Sequence, residues 1–324
     1  MLTKRSAGVV LLAAAGCAAL SRSPDLPPIR FEIRAPDLAH PLTEDYPATS
    51  RPEDPVKLGV WKRINADRAA GGLAPVAWDE AAARVADAFC ARQIQEQTRG
   101  HFLLNGLPPY ARMALAGVFG MDAENVVAWT TTGANFEDTP LQLALAGQQG
   151  MMAEKPPNDG HRRTILDPEA THVGVGWAQG SGRFRMSQEF LVRHLARLTL
   201  EQSASNPATV LVKGQTRSDF QFAFVTLAHE PSPKTLTRSQ VNARSHYEFR
   251  QPRIAFVPEG MKSYHVVGSE TQDVVRVGPG NDFAFRFTPG AAGLWTIVIY
   301  ASGAREKARP GGAAVLWVEK AGAP

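Results

Sequence analysis

Apolar positions in the first half of the chain recur at helical spacing, and turn residues separate the runs. The first predicted helix covers residues 56–70 and ends at the Gly71-Gly72 pair, which readily adopts the left-handed conformation. Asp79 can cap a second helix, in which apolar residues follow the i, i+3, i+4, i+7 rule. Further helices are predicted to begin at Pro108-Pro109 and at a capping box that opens with Thr139. The pattern therefore predicts four helices, one after another.

Strand periodicity dominates the rest of the chain. Residues 172–177 and 184–190 alternate on either side of a Gly-Ser-Gly turn, which predicts a β-hairpin. Residues 29–34 alternate as well and are a candidate edge strand. From about Leu198 onward, short apolar runs follow one another with a turn every dozen or so residues. This spacing predicts an all-β sandwich over residues 199–324.

The N-terminus has the composition of an export signal. Lys4 and Arg5 precede an apolar run from Ala7 to Ala15, which is too short to span a membrane as an ordinary helix. The stretch that ends at Cys17 resembles a bacterial lipobox, in which the cysteine carries lipid after cleavage. A lipoprotein, a signal peptide cleaved without lipidation and an uncleaved anchor are the alternatives. Each predicts export, with residues 1–17 as the signal and a Pro-rich tether over residues 18–54.

Composition narrows the class of protein. A chain of 324 residues with 44% hydrophobic and 20% charged residues is expected to form two globular units. The net charge is only +4, and Lys and Arg are spread along the sequence, so we expect no nucleic-acid partner. If Cys17 carries lipid, Cys90 has no disulfide partner, and its place on an apolar helix stripe predicts an inert buried thiol. No Gly-x-Ser-x-Gly motif supports a serine hydrolase.

Sequence landmarks between residues 61 and 190 occur in an order that resembles the CAP superfamily (cysteine-rich secretory proteins, antigen 5 and pathogenesis-related proteins), especially its bacterial members. The landmarks are Ile64-Asn65-Ala-Asp-Arg68, Gly72-Leu73-Ala-Pro-Val-Ala-Trp78-Asp79, His101, Ala123-Glu124-Asn125-Val126, Gly160-His161-Arg162 and His172-Val-Gly-Val-Gly176. The resemblance implies an α+β fold: a three-layer α-β-α sandwich over residues 55–195, ahead of the β-sandwich. It also implies a broad cleft in which histidines and glutamates meet.

The resemblance assigns residues to that cleft. His101 and His161 would be its histidines, Glu124 its first glutamate, and Glu154 the nearest candidate for the second, although Met151 stands where the family has an aromatic residue. The two imidazoles could bind zinc or another divalent metal, with Glu124 as a general base on a bound water. Alternatively, these side chains hold loops together by hydrogen bonds, or line a binding surface without turnover.

We therefore expect an exported protein of the bacterial cell envelope, attached to the membrane if it is lipidated, that binds a peptide, glycan or lipid through its His/Glu cleft. A zinc-dependent hydrolase of peptide or cell-wall material and a lipid carrier are the alternatives, and whether the protein is an enzyme stays open. Two imidazole nitrogens close to one zinc ion would favour the hydrolase. An apolar pocket of several hundred Å³ would favour the carrier. Arg68 is expected to brace the fold by pairing with a carboxylate.

Overall fold

The computed structural model describes residues 31–34, 51–133, 135–203, 209–261, 265–303 and 307–320. Cys17, the predicted signal and most of the predicted tether lie outside these residues. The α-helices of the described residues are Pro55–Ala70 (α1), Glu80–Glu96 (α2), Pro109–Leu115 (α3), Pro140–Ala153 (α4), Gly160–Ile165 (α5) and Arg238–Asn242 (α6). Their strands are Phe31–Arg34 (β1), Ala77–Trp78 (β2), Met121–Thr130 (β3), His172–Gly180 (β4), Arg183–Val192 (β5), Leu195–Gln202 (β6), Val210–Thr216 (β7), Gln221–Glu230 (β8), Ile254–Pro258 (β9), Thr271–Val277 (β10), Asp282–Phe287 (β11), Gly293–Ser302 (β12) and Arg309–Lys320 (β13).

Side-chain caps start the helices close to where the sequence predicts. Asp54 accepts the main-chain N–H groups of Val56 and Lys57 at the start of α1. Asp79 accepts the N–H of Ala82, 2.6 Å away, at the start of α2. Thr139 opens α4 with the predicted capping box. These caps satisfy N–H groups that a helix leaves unpaired, which confirms the predicted helix starts.

A four-stranded sheet, ordered β2-β4-β5-β3, forms the centre of the first region. β4 and β5 pair as the predicted antiparallel hairpin. Gly174 and Gly176 of β4 allow α2 to approach the sheet closely. A Cβ added to Gly174 would lie 2.4 Å from the main-chain nitrogen of Ala83, and one added to Gly176 would lie 2.2 Å from the carbonyl carbon of Ala86. Side chains on the opposite face of β4 pack in one apolar cluster with α1, α4 and α5.

The other nine strands follow the order β1-β13-β12-β8-β9-β10-β11-β7-β6. All neighbours are antiparallel except β9 and β10, which are parallel. The candidate edge strand at residues 29–34 is present as β1, paired with β13. Buried apolar side chains from β6 to β13 form one core. The strand-rich C-terminal region was predicted, but the parallel pair and the short helix α6 were not.

The two regions are packed against each other. Phe119, from the loop before β3, lies in the apolar core of the strand-rich region. A Cβ on Gly312 of β13 would lie 2.7 Å from its ring, so the fit is close. Tyr110 and Ala111 of α3 pack against Leu294 on β12. Residues 231–253 connect β8 to β9 and cross the first region; we call them the connecting segment.

Candidate functional site

His101 and Glu124 are in direct contact. Glu124 lies on β3, and its Oε1 is 2.9 Å from Nδ1 of His101, which belongs to the loop after α2. Only 7% of His101 and 4% of Glu124 is exposed. The contact ties this loop to the sheet, in a place that water barely reaches.

Two further carboxyl groups and one arginine surround this pair. Glu189 of β5 stands opposite Glu124 in the sheet, and Asp122 lies two residues earlier on β3, on the same face. Arg112 of α3 binds the Glu124 carboxylate, and its Nη2 is 3.9 Å from Oε1 of Glu189. The Ser187 hydroxyl lies 3.1 Å from Oε2 of Glu124. Three carboxyl groups around a single cation cannot all be ionised in a buried site.

Burial shifts the pKa values at this site in opposite directions. It raises the pKa of Glu124 to about 7, although the Arg112 guanidinium lowers it. Burial and then Arg112 lower the pKa of His101 to about 4. Burial also raises the pKa of Asp122 and Glu189 well above the usual range. Between about pH 4 and pH 7, therefore, His101 and Glu124 are both neutral, and their contact is a hydrogen bond between uncharged groups.

Tyr247, from the connecting segment, covers the His101–Glu124 pair. The main-chain N–H of Glu124 donates to the Tyr247 hydroxyl at 2.8 Å. The Tyr247 ring meets the His101 ring edge to face, with 5.0 Å between the centroids. The aromatic ring of Tyr110 is also close, with 6.4 Å between its centroid and that of Tyr247. The chain's own C-terminal region thus closes the place where a ligand would reach Glu124.

His161 and Glu154 form a second pair. Nδ1 of His161 is 2.5 Å from Oε1 of Glu154, and the main-chain N–H of His161 donates to Oε2 of the same carboxylate at 3.1 Å. The Asn125 side chain donates to the carbonyl oxygen of His161. Side-chain exposure is 35% for His161 and 23% for Glu154, so this pair is accessible, unlike the first.

The structure shows the four side chains as two hydrogen-bonded pairs, and the single cluster that the resemblance implied stays a prediction. Neighbouring strand residues point to opposite faces, so Glu124 faces α2 whereas Asn125 reaches His161 on α5. In each pair the carboxylate contacts Nδ1 of the histidine, and protein zinc sites use three or four protein ligands. Across the described ranges, no group of three or more His, Cys, Asp or Glu is placed to hold a metal ion. Metal binding by these side chains stays a prediction.

An apolar groove of about 780 Å³ runs along the outer side of α2. Its lining includes Val85, Ala88 and Leu103. The guanidinium of Arg112 lies at one side of it, 3.7 Å above the ring of Phe89. Arg112 therefore separates the groove from the buried carboxyl groups. Arg84, Arg92 and Arg112 are the cationic residues of its largely apolar lining.

Other residues singled out from the sequence have structural positions. Arg68 is buried and donates to the carbonyl oxygens of Ala74, Ile165, Asp167 and Ala170. It braces the fold as expected, but through main-chain carbonyls rather than a carboxylate. Cys90 is a free buried thiol, and burial raises its pKa.

Sequence reasoning did not find four residues of the site, namely Arg112, Asp122, Glu189 and Tyr247. A signal for the acids was available, because Asp122 and Glu124 alternate on a strand and Glu189 belongs to the predicted hairpin. Tyr247 offers no such signal, since 123 residues separate it from Glu124.

Comparison with known proteins gives a family match for the first region. Residues 61–192 match the cysteine-rich secretory protein family, CAP. Comparison with curated proteins finds no match.

Within the described residues, no helix has the length and apolar character needed to cross a membrane.

Similar solved structures include an extracellular protein containing an SCP domain from Bacillus anthracis str. Ames, 21% identical with a TM-score of 0.34. The match covers 44% of this chain and 45% of that one, less than half of each. An outer surface protein from Borrelia burgdorferi is 15% identical with a TM-score of 0.33, over 41% of this chain and 90% of that one. On the family match and the order of its sequence landmarks, residues 61–192 belong to the cysteine-rich secretory protein (CAP) family.

Proposed function

We propose that this chain is an exported CAP-domain protein of the bacterial cell envelope that binds a ligand and performs no reaction at His101 and Glu124. The burial of this pair beneath Tyr247 carries the proposal. A general base must come within hydrogen-bond reach of the proton it removes. Here the imidazole Nδ1 is engaged by Glu124, and the connecting segment covers the pair.

Zinc titration by calorimetry on the full chain tests this proposal. We expect no micromolar binding that depends on His101 and His161, because the two histidines belong to separate pairs. The comparison is a His101→Ala/His161→Ala variant, with His246→Ala, which removes a histidine with 76% side-chain exposure, as the matched control. Micromolar binding that disappears only in the double variant would favour the zinc-dependent hydrolase of peptide or cell-wall material.

The groove along α2 favours a second function, a carrier of lipids with an anionic end. Its volume of about 780 Å³ is in the range of small-molecule sites. Arg84 and Arg112, both among its lining residues, would attract a carboxylate or phosphate, while Val85 and Leu103 would contact the apolar chain. A fluorescent long-chain fatty acid is the probe.

Filling the groove tests the carrier function. Ala88→Trp places an indole in the groove, and we expect it to weaken fatty-acid binding by about tenfold or more. Ala69→Trp changes an exposed alanine of α1 outside the groove, and it should leave binding unchanged. Equal affinity in both variants would rule the groove out as the site.

Attachment to the membrane through Cys17 belongs to the same proposal. The lipobox-like sequence before Cys17 supports it. A Cys17→Ser variant expressed in a bacterial host should move from the membrane fraction to the soluble envelope fraction. A variant that stays in the membrane fraction would contradict lipid attachment at this residue.

We further propose that the CAP region has three layers, with α2 and α3 on one side of the four-stranded sheet and α1, α4 and α5 on the other. Separate apolar clusters on the two faces of the sheet support this arrangement. The single core shared by β6 to β13 likewise supports a sandwich of C-terminal strands.

A further inference from the structure

The connecting segment lies along the loop after α2 through contacts spread over its length. The N–H of Leu236 donates to the carbonyl oxygen of Leu104 at 2.7 Å. The side chain of Asn242 accepts the main-chain N–H of Arg99 at 2.9 Å. The guanidinium of Arg244 stands 5.0 Å from the centroid of the Phe102 ring. The C-terminal region supplies this segment, so the CAP domain already holds a polypeptide, namely α6 followed by residues 244–252, which form neither helix nor strand.

Alternate side chains of the segment face the domain. Tyr247 and Phe249 point inward, and Phe249 stacks on Tyr110 with 4.3 Å between the ring centroids. The residues beside them stay in solvent, with side-chain exposures of 76% for His246 and 84% for Glu248. Surfaces that recognise extended peptides read every second side chain in this way, while the others remain exposed.

The place occupied by Tyr247 has features that select a tyrosine. We call it the tyrosine seat, formed by the main-chain N–H of Glu124 and the rings of His101 and Tyr110. A phenylalanine would fill the ring space but would leave the Glu124 N–H without its partner. A buried N–H without an acceptor is costly, so the hydroxyl group contributes to selection.

We infer that the tyrosine seat is a binding site for a tyrosine-bearing polypeptide, and that Tyr247 occupies it in cis. The inference rests on the proposed binding function and names the partner class of the same site. An external segment with the Tyr-x-Phe pattern of residues 247–249 would fit the seat and the face of Tyr110 together. It would have to displace a covalently linked competitor, whose effective concentration is on the order of millimolar. A partner can therefore bind the tyrosine seat only when the connecting segment detaches from it.

Filling an emptied seat with a small phenol is the first test. Tyr247→Ala removes the occupant, and p-cresol has the shape and hydroxyl group of the lost side chain. We expect p-cresol at several times its Kd to raise the Tm of this variant by about 2 °C or more, and toluene to raise it by less than half as much. Tyr300→Ala, which removes a half-buried tyrosine stacked on Phe224, is the matched control and should not distinguish the two compounds.

The outcome of this test decides whether the seat recognises a phenol. Equal responses to p-cresol and toluene, or equal responses of the Tyr247→Ala and Tyr300→Ala variants, would overturn the inference. Should Tyr247→Ala be unfolded on its own, recovery of its circular dichroism with p-cresol would support the seat. Failure to recover would count against it.

A peptide added in trans tests the partner class. The peptide Arg-Ser-His-Tyr-Glu-Phe-Arg reproduces residues 244–250. In fluorescence anisotropy, we expect it to bind a full-chain Tyr247→Ala/Phe249→Ala variant at least about tenfold more tightly than wild type, where the seat is occupied. The same peptide with Phe in place of Tyr should lose about tenfold in affinity. Equal binding of both peptides, or equal binding to both proteins, would overturn the inference. Zinc calorimetry tests the proposed function without reference to the tyrosine seat. The proposed function and the inference about the seat can therefore fail separately.

Discussion

Replacing Arg112 by methionine tests the electrostatics of the buried site. Arg112 is the cation that binds Glu124, and its Nη1 also donates to the carbonyl oxygen of His101 at 3.3 Å. Its guanidinium covers the ring of Phe89. Methionine keeps a flexible apolar side chain over Phe89 but removes the charge and the hydrogen bonds. Any loss of stability therefore reports mainly on the contact with the carboxyl groups.

The loss should depend on pH. Burial raises the pKa of Glu124 from its ordinary 4.5 to about 7, so the stability that its neutral form contributes is complete below pH 4.5 and is lost as pH rises through 7. Without Arg112 that pKa rises further, and the loss extends to higher pH. At pH 8 the variant must either bury the Glu124 carboxylate without its cation or keep the group protonated, whereas wild type pairs the carboxylate with Arg112, so the substitution should cost about 3–5 kcal/mol. At pH 5 the carboxyl group is neutral in both proteins, and only hydrogen bonds worth about 1–2 kcal/mol are lost.

Urea unfolding followed by circular dichroism at pH 5 and pH 8 measures this difference. Arg92→Met is the matched control, because Arg92 lies on α2 with 60% of its side chain exposed and pairs with Glu96. We expect the control to cost about 0.5 kcal/mol or less at both pH values. A cost for Arg112→Met that is equal at the two pH values, or larger at pH 5, would refute the assignment of a raised pKa to Glu124.

Three further predictions concern the fold around the site. Gly176→Ala should lower the free energy of unfolding in urea by about 2 kcal/mol or more, since the added Cβ would lie 2.2 Å from the α2 backbone. Gly150→Ala is the control: a Cβ there meets nothing within 4 Å, so this change should stabilise α4 by about 0.5–1 kcal/mol. Arg68→Met should cost about 3 kcal/mol or more, because it leaves buried carbonyl oxygens unpaired, and a cost below about 1 kcal/mol would contradict this role. Maleimide should label Cys90 about 100-fold more slowly in native protein than in urea, since the thiol is fully buried; rapid native labelling would show that α2 opens.

The features that the sequence predicts well are local. Asp79 and Thr139 cap helices through N–H groups two or three residues away, so their signal lies within one helical turn. The hairpin of β4 and β5 follows from strand alternation around a turn. His101 and Glu124 were identified only through the family resemblance, because spacing alone does not bring them together.

Long-range contacts account for what the sequence did not predict. Which glutamate each histidine contacts depends on how the elements that carry them pack around β3, and a list of motifs does not contain that information. Tyr247 reaches Glu124 from a connection between strands of the other region, 123 residues later. Such a contact follows from the packing of α3 and Phe119 against the C-terminal strands, which sets where the connecting segment runs.

The position of Phe119 has a consequence for how this architecture can change in evolution. Its ring completes the apolar core of the strand-rich region, although it belongs to the stretch that matches the CAP family. A gene rearrangement that transferred the C-terminal strands alone would leave a hole where this ring sits, and one that kept the CAP domain alone would expose Phe119 and α3 to water. Either region without the other would therefore be less stable than the two together.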